Sequence, residues 1–166
     1  MKIVIAAPVK GFQLKETLKS HLLQQGHDAI DVGCYATDRF IKYTSVGERV
    51  AYALQNGEAE LAINICGSGT GASISVNKFA GVLGCACESV KTAVLSRVVN
   101  GANCLCLGED VVTPELAREM TDAFIRAVFQ DNPNADPKVR EFWKEARDEM
   151  IARGVKAKQR ELETLS

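Results

Sequence analysis

The residues that point most directly to chemistry form one run, Cys66–Gly71 (CGSGTG), directly after a short apolar segment. A cysteine thiolate can act as a base or as a nucleophile. The glycines at 67, 69 and 71 let the backbone approach a ligand closely and direct successive N–H groups toward one point. The run therefore predicts an anion-binding loop beside a reactive sulfur. A tight turn around a buried cysteine is the structural alternative.

Known nucleotide-binding patterns do not fit this loop. A P-loop ends in Gly-Lys-Ser/Thr, and the dinucleotide pattern G-x-G-x-x-G follows the first strand of its fold. Here the pattern is G-x-G-x-G, and it follows the third predicted strand. The loop thus indicates an anion site of another kind.

Two further cysteine pairs, Cys85-x-Cys87 and Cys104-x-Cys106, lie in apolar segments. Residues i and i+2 of a strand share a face, so each pair is expected to pack together. Zinc sites favour Cys-x2-Cys spacing or nearby histidines, and the only histidines, His21 and His27, lie elsewhere. We therefore predict buried thiols rather than a metal site or disulfides.

Five short apolar segments alternate with helical patterns along residues 1–130. The predicted strands are Lys2–Ala7, Ala29–Val32, Leu61–Cys66, Val82–Cys87 and Cys104–Leu107. This alternation is typical of a parallel sheet with helices on both faces. We predict one α/β domain over residues 1–130, a three-layer αβα Rossmann-like fold with a doubly wound sheet of five parallel strands. Ligands of such sheets bind at the carboxyl ends of the strands, where the glycine loop falls.

Residues 131–166 are predicted to form a C-terminal helical extension. The segment 130–137 (QDNPNADP) contains two prolines and breaks the preceding helix. Lys138–Ser166 is charged and helical, with an apolar face that includes Phe142 and Trp143. This long helix is expected to pack on its own domain or on a second subunit, and the aromatic face favours the subunit contact.

The composition excludes several classes of protein. Twenty Lys and Arg residues against 21 Asp and Glu give a net charge of −1, without the basic surplus that nucleic-acid binding needs. No apolar run approaches the roughly 18 residues of a membrane span. The apolar N-terminal stretch is short and soon followed by polar sequence, unlike a signal peptide. We therefore expect a soluble cytoplasmic protein without nucleic-acid or membrane partners.

Residues 65–81 (ICGSGTGASISVNKFAG) resemble the signature of the ribose-5-phosphate isomerase B and galactose-6-phosphate isomerase family. In that family a Cys-Gly-Thr-Gly loop leads into a helix that ends in Asn-Lys-x-x-Gly. The resemblance covers most of residues 1–130, including 11–15 (GFQLK) and 95–100 (LSRVVN). It implies aldose–ketose isomerisation through an enediolate, without a metal or an organic cofactor.

The same resemblance implies partners for the chain. The substrate is expected to be a sugar phosphate or a related sugar acid. Family members are dimers or tetramers in which a neighbouring subunit contributes residues to each active site. We therefore expect at least a homodimer, with the helix at 138–166 in the interface.

The resemblance also suggests a role for individual residues. Cys66 matches the catalytic base, and Ser68, where threonine is usual, is expected to hydrogen-bond a substrate oxygen. A second branch of the family uses a glutamate just after the loop, but this chain has Ala72 there. The residues expected to bind substrate are Gly67, Gly69, Thr70 and Gly71 of the anion hole, Asn100, and the cations Lys10 and Arg97, with Arg39 and Lys42 as further candidate cations.

Several positions depart from the family pattern. Pro8-Val9 replaces an Asp-His pair that binds sugar and phosphate, and Tyr43-Thr44-Ser45 replaces Tyr-Pro-His. Asp110 falls where a phosphate-binding arginine is usual, and Val99 replaces the histidine that opens the furanose ring. For a pair of arginines beyond the last helix of the domain, Lys138 or Arg140 is the nearest match.

A valine cannot transfer a proton, so ring opening at position 99 is excluded. The substrate is then expected to be acyclic or short, such as a tetrulose phosphate, or to carry a carboxylate, as keto-uronates do. The alternative is a non-catalytic or heteromeric partner subunit that binds a sugar phosphate or keto-uronate. A cysteine-based redox or acyl-transfer enzyme is the weakest hypothesis, because no histidine accompanies Cys66 in the pattern.

Overall fold

The computed structural model describes residues 1–164, apart from the side chain of residue 161, and contains a five-stranded parallel sheet between layers of helices. The strands are β1 (Lys2–Ala6), β2 (Asp28–Asp31), β3 (Leu61–Cys66), β4 (Gly84–Ala86) and β5 (Cys104–Gly108). The helices are α1 (Phe12–Gln24), α2 (Tyr43–Gln55), α3 (Thr70–Val76), α4 (Val90–Val98), α5 (Pro114–Arg126) and α6 (Pro137–Thr164). The strand order is β2-β1-β3-β5-β4, which confirms the predicted three-layer fold.

The central strand β3 separates two buried clusters. All six of its residues are buried, because helices cover both faces of the sheet. Its odd-numbered residues, such as Ile63, pack with apolar side chains of α1 and α5. Its even-numbered residues include Cys66, which packs with apolar side chains of α2 and α3. Alternation along β3 therefore fixes the side of the sheet on which the sulfur lies.

Some predicted element boundaries are wrong. The fourth strand was expected over Val82–Cys87 but covers only Gly84–Ala86. Two asparagine side chains account for its late start, because Asn103 Oδ1 accepts the N–H of Leu83 at 2.8 Å and Asn77 Oδ1 accepts that of Gly84 at 3.0 Å. These amides occupy backbone groups that a longer strand would use. Helical patterns in the sequence predict a third helix over 72–79 and a fifth over 114–129, whereas the structure has these helices at 70–76 and 114–126.

The C-terminal helix α6 lies along the outside of the domain. Gln130 Nε2 donates to the carbonyl of Arg140, and the guanidinium of Arg147 lies 4.2 Å from the ring centre of Phe129. Phe142 on the same helix is 63% exposed. The predicted helix ran to Ser166, and its last two residues lie outside the described part of the chain. Within residues 1–164 no helix is both long and apolar enough to cross a membrane.

The six cysteines are free thiols. Cys104 and Cys106 lie in the cluster beneath α2 and α3, with their sulfur atoms 3.8 Å apart. Cys85 and Cys87 belong to the cluster on the opposite face, where burial raises the pKa of Cys85 to about 11. In the part of the chain that the structure describes, no group of three His, Cys, Asp or Glu residues is placed to hold a metal ion.

Candidate active site

A pocket of about 750 Å³ opens at the carboxyl ends of β1 and β3. The chain leaves β1 toward β2 on one side of the sheet and places β3 on the other, so the strand order reverses here. Such a reversal leaves a crevice at the strand ends, the usual ligand site of this architecture. The pocket is lined by residues 8–10 after β1, 40–44 before and at the start of α2, and 66–68, 70, 71 and 74 after β3.

The loop after β3 is held by its backbone. The carbonyl oxygens of Cys66 and Gly67 accept N–H groups of Glu109 and Asp110 at 2.9 and 3.0 Å. A Cβ atom at Gly108 would lie 2.6 Å from the carbonyl carbon of Ser68, so the two backbones touch directly. The end of β5 therefore sets the position of the loop.

This arrangement leaves several loop N–H groups available. Gly69 adopts φ +79°, and its N–H donates to the sulfur of Cys66 at 3.1 Å. The N–H groups of Ser68, Thr70 and Gly71 donate to no acceptor among the described residues. All three residues line the pocket. Unpaired backbone donors around one cavity are the arrangement that binds an oxyanion.

The sulfur of Cys66 lies at the base of the same pocket. Cys66 is 7% exposed and is one of the residues that line the pocket. The hydroxyls of Ser68 and Thr70 are hydrogen-bonded to each other at 2.7 Å near the pocket opening. Gly71 lies against the ring of Tyr43, since a Cβ atom there would be 3.3 Å from that ring. The residues that carry this sulfur, the two hydroxyls and the unpaired N–H groups thus line one cavity.

Lys10 is the sequence-predicted cation that the structure places beside the loop. Its Nζ lies 2.7 Å from Asp110 Oδ1, and both side chains are largely exposed. A Cβ atom at Gly67 would meet Lys10 Cγ at 3.1 Å and Asp110 Oδ2 at 3.4 Å, so the ion pair lies against that glycine. The hydrogen bond and the negative charge of Asp110 raise the pKa of Lys10. The residue at the position of the family's arginine therefore pairs with a cation of the pocket.

Asn100 and Arg97 lie elsewhere in the chain. Asn100 borders a separate depression with Val99, Phe142 and Trp143. Arg97 donates to the carbonyl of Ala102 at 3.0 Å, and burial lowers its pKa. Neither residue lines the loop pocket of its own chain.

Glu109 has a positioning role that sequence reasoning missed. Its two carboxylate oxygens accept the N–H groups of Gly11 and Leu14, each at 2.9 Å. The first turn of α1 contains no acidic residue, and Glu109 supplies the missing acceptor from the end of β5. Two features of the sequence could have indicated this role: the first turn of α1 has no acidic residue to accept its N–H groups, and a glutamate follows the fifth strand. Glu109 fixes the turn at 8–11 relative to the glycine loop.

Lys15 is a second missed residue, and it anchors another wall of the pocket. Its ammonium group is fully buried and donates to Asp31 Oδ2 at 2.7 Å and to the carbonyl of Cys34 at 2.6 Å. Burial alone raises the pKa of Asp31, but hydrogen bonds from Lys15 and Lys19 outweigh this effect and lower it. Lys15 thereby fixes the beginning of the segment that runs from 33 to 42.

Comparisons with known proteins agree with this geometry. A family model described as ribose/galactose isomerase matches residues 3–141. Ribose-5-phosphate isomerase B of Escherichia coli is 38% identical over 129 residues, which are 78% of this chain and 86% of that protein. The 4-deoxy-4-sulfo-D-erythrose isomerase of a Clostridium species is 36% identical over 132 residues, 80% of this chain and 83% of that protein. The solved structure of Clostridium thermocellum ribose-5-phosphate isomerase B superposes with a TM-score of 0.79 at 33% identity, covering 89% of this chain and 96% of that one.

Proposed function

Because the chain belongs to the ribose/galactose isomerase family, we propose that it interconverts an open-chain aldose and ketose that carry a terminal anion, with Cys66 as the base. The observation that carries this proposal is the set of unpaired N–H groups at Ser68, Thr70 and Gly71 around the pocket that contains the sulfur. Formation of an enediolate needs a base that removes a proton and hydrogen-bond donors that stabilise the resulting oxyanion.

In the proposed reaction, the Cys66 thiolate removes the proton from the carbon next to the carbonyl. The electron pair of that C–H bond forms the double bond of the enediolate, and the carbonyl oxygen becomes an oxyanion. The N–H groups of 68, 70 and 71 stabilise this charge, and one good donor supplies roughly 3–4 kcal/mol. The proton between the two oxygens moves through the hydroxyl of Ser68. The new thiol then returns its proton to the former carbonyl carbon, which regenerates the thiolate.

The apolar residues that line part of the pocket support a short substrate. Residues 8 and 9 are Pro and Val, and Phe40, Ile41 and Ile74 add apolar surface. None of these side chains can protonate or deprotonate a sugar ring. A four-carbon aldose with an anionic group on its last carbon lacks the hydroxyl that closes a furanose, so it needs no ring opening. The similar Clostridium protein is named for such a substrate, 4-deoxy-4-sulfo-D-erythrose.

We further propose at least a homodimer, with α6 in the interface and Asn100 serving the pocket of the neighbouring subunit. Asn100 lies beside Phe142 and Trp143 of α6, and Phe142 is 63% exposed. Lys10 is proposed to bind the reacting end of the substrate, since it lies against Gly67. Size exclusion with light scattering should give a dimer or tetramer. A fully active monomer would contradict this part of the proposal.

Solvent-deuterium exchange, followed by NMR, tests the chemistry. The panel comprises tetrose, pentose and hexose phosphates, 4-deoxy-4-sulfo-erythrose and keto-uronates, each with its ketose partner. We expect exchange with one four-carbon compound, and a loss of at least about 10³-fold in Cys66→Ala. Cys85→Ala is the matched control, because Cys85 is a half-buried thiol outside the pocket.

The other outcomes separate the alternatives. Exchange that persists in Cys66→Ala would assign the base to another group. Exchange with no compound would favour the second candidate function, a partner subunit without turnover. The observation that supports this second candidate is the presence of Val99 and Pro8-Val9 at positions where the family has histidine and aspartate. These side chains cannot transfer protons.

A further inference from the structure

A second depression of about 640 Å³ adjoins the proposed active site. The two cavities share Phe40, Ile41 and Lys42 as lining residues. Arg39 and Arg49 also line the second cavity, so three cationic side chains face one space. The cluster of Arg39, Lys42 and Arg49 is called the cationic wall below.

The cationic wall is not neutralised by the chain itself. None of its three side chains forms an ion pair with an acidic residue of the described chain. Arg49 donates to the carbonyl of Val32 at 3.4 Å. Asp38 is the single acidic residue that lines this cavity, which leaves two positive charges in excess. The whole chain has a net charge of −1, so this surplus is local.

The opposite side of the active-site pocket has no such surplus. Lys10, the cation on that side, is paired with Asp110 at 2.7 Å. Pro8 and Val9, next to it, offer no charge and no side-chain donor. An anionic group entering the pocket is therefore attracted toward Lys42 rather than toward Lys10.

We propose that the cationic wall binds the terminal phosphate, sulfonate or carboxylate of the substrate; this inference rests on the proposed isomerase function. Lys42 lines both cavities and directly precedes Tyr43, whose ring lies against Gly71. The wall thus begins one residue away from a contact of the oxyanion loop. A short substrate is then oriented with its reacting carbons at Cys66 and its anionic end toward Lys42, Arg39 and Arg49.

The test compares two four-carbon substrates, one with the terminal anion and the 4-deoxy compound, which has a hydrogen in its place and likewise cannot close a furanose. Kinetics are measured for the wild type, Lys42→Gln and the double variant Arg39→Gln/Arg49→Gln. Each is expected to lower kcat/KM for the anionic substrate by about tenfold, chiefly through KM, because a charge-assisted contact is lost. The uncharged substrate should lose less, so the ratio of the two kcat/KM values falls in the variants. Lys2→Gln, an exposed lysine at the opposite end of the sheet, is the matched control and should affect neither substrate.

Two results would overturn the inference. One is an undiminished preference for the anionic substrate in the wall variants. The other is a loss of that preference in Lys138→Gln or Arg140→Gln instead, which would assign the anion to the C-terminal helix.

A binding measurement keeps the inference testable without turnover. Inorganic phosphate is titrated into ¹⁵N-labelled protein, and amide shifts are followed in the wild type and in the triple variant Arg39→Gln/Lys42→Gln/Arg49→Gln. Shifts at residues 39–49 that disappear in the triple variant support the cationic wall even if no substrate is isomerised. Shifts confined to other residues, or the absence of shifts, contradict it.

Discussion

The glycine loop 66–71 and the segment 33–42 border the same pocket but are held in different ways. The segment 33–42, which contains Arg39 and Lys42 of the cationic wall, is called the wall segment below. The loop is fixed by backbone contacts, with two carbonyls bonded to N–H groups of 109 and 110 and Gly108 packed on Ser68. The wall segment is fixed only near its ends, and at its second end the carbonyl of Lys42 accepts the N–H of Val46 at 3.1 Å. The N–H of Cys34 donates to Ala7, Lys15 binds the carbonyl of Cys34, and among the described residues no backbone hydrogen bond involves residues 36–41.

This difference separates two tasks. Backbone groups are the same whatever the side chains are, so the N–H donors that the loop presents are chemically the same for any residue type. The wall segment presents side chains, and the charge and shape of the pocket opening follow from them. Under the proposed function, the reaction type depends on the loop and the substrate preference on the wall segment. Four changes test this division, beginning with the largest expected effect.

Gly108→Ala should disable the loop while the wall stays intact. The new Cβ atom would lie 2.6 Å from the backbone of Ser68, which cannot move without shifting the donors. We expect kcat/KM to fall by about 10²–10³-fold, the effect of losing an oxyanion donor. Gly26→Ala is the control. Gly26 has φ +78°, and a Cβ atom there would meet open space. The substitution should therefore cost about 1–2 kcal/mol of stability without affecting kcat. Unchanged kcat in Gly108→Ala would refute the backbone contact as the positioning device.

Lys15→Met should loosen the wall and leave the loop in place. The substitution leaves Asp31, whose side chain is 5% exposed, with Lys19 as its remaining cation. Removing one partner of a buried ion pair costs about 3–5 kcal/mol, and Lys19 should keep the loss near the lower value. Urea unfolding measures the loss, and substrate kinetics should show a raised KM with Cys66-dependent exchange retained. A fall in kcat with KM unchanged would mean that the two regions are not independent.

Acid should weaken the same anchor. The pKa of Asp31 is lowered in the folded chain, so its ionisation stabilises the fold above the unfolded-state pKa of about 3.9. That contribution is lost as the pH falls from about 5 through the lowered folded-state pKa. Asp31→Asn should therefore be less stable at neutral pH and should show a flatter decline between pH 5 and the acid transition. The measurement is the free energy of unfolding of the wild type and of Asp31→Asn across that pH range. Parallel curves for the two proteins would rule out Asp31 as a source of the acid sensitivity.

Glu109→Ala should have the smallest effect and should act on the junction between the two regions. It removes the acceptor of two N–H groups, at Gly11 and Leu14, and a lost helix cap costs about 1–2 kcal/mol. Glu109→Gln keeps one acceptor oxygen and should recover about half of that loss. Urea midpoints provide the comparison. Equal stability of the Ala variant and the wild type would show that water replaces the carboxylate at no cost.

The sequence was sufficient to predict features that depend on local patterns. Apolar runs broken by helical periodicity identified all five strands, and the glycine spacing identified the loop and its sulfur. Strand β4 was predicted too long, because the side chains of Asn77 and Asn103 accept the N–H groups of Gly84 and Leu83 at its start. Hydrophobic periodicity does not reveal such side-chain hydrogen bonds. The existence of a strand or helix follows from residues that are close in sequence. The bounds of β4, in contrast, depend on contacts between residues that are distant in sequence.

The same limit explains the residues that were missed in the site. Lys10 and Asp110 are 100 positions apart, and Glu109 binds N–H groups about as far away in the chain. Lys15 stands next to Leu14 on the buried side of α1, where a charged residue reads as an exception to the apolar pattern. Its ion pair with Asp31 becomes visible only once β2 lies beside α1. The roles of Asn100 and Arg97 stay predictions, since neither residue lines the loop pocket of its own chain.

The scarcity of backbone bonds in residues 36–41 has an evolutionary consequence. Substitutions there disturb few interactions of the fold, so most of them are nearly neutral for stability while they alter the lining of the two cavities. A lineage can therefore drift through many versions of this segment without losing the catalytic loop. Under the proposed function, directed evolution of new sugar specificities is best begun at positions 36–42.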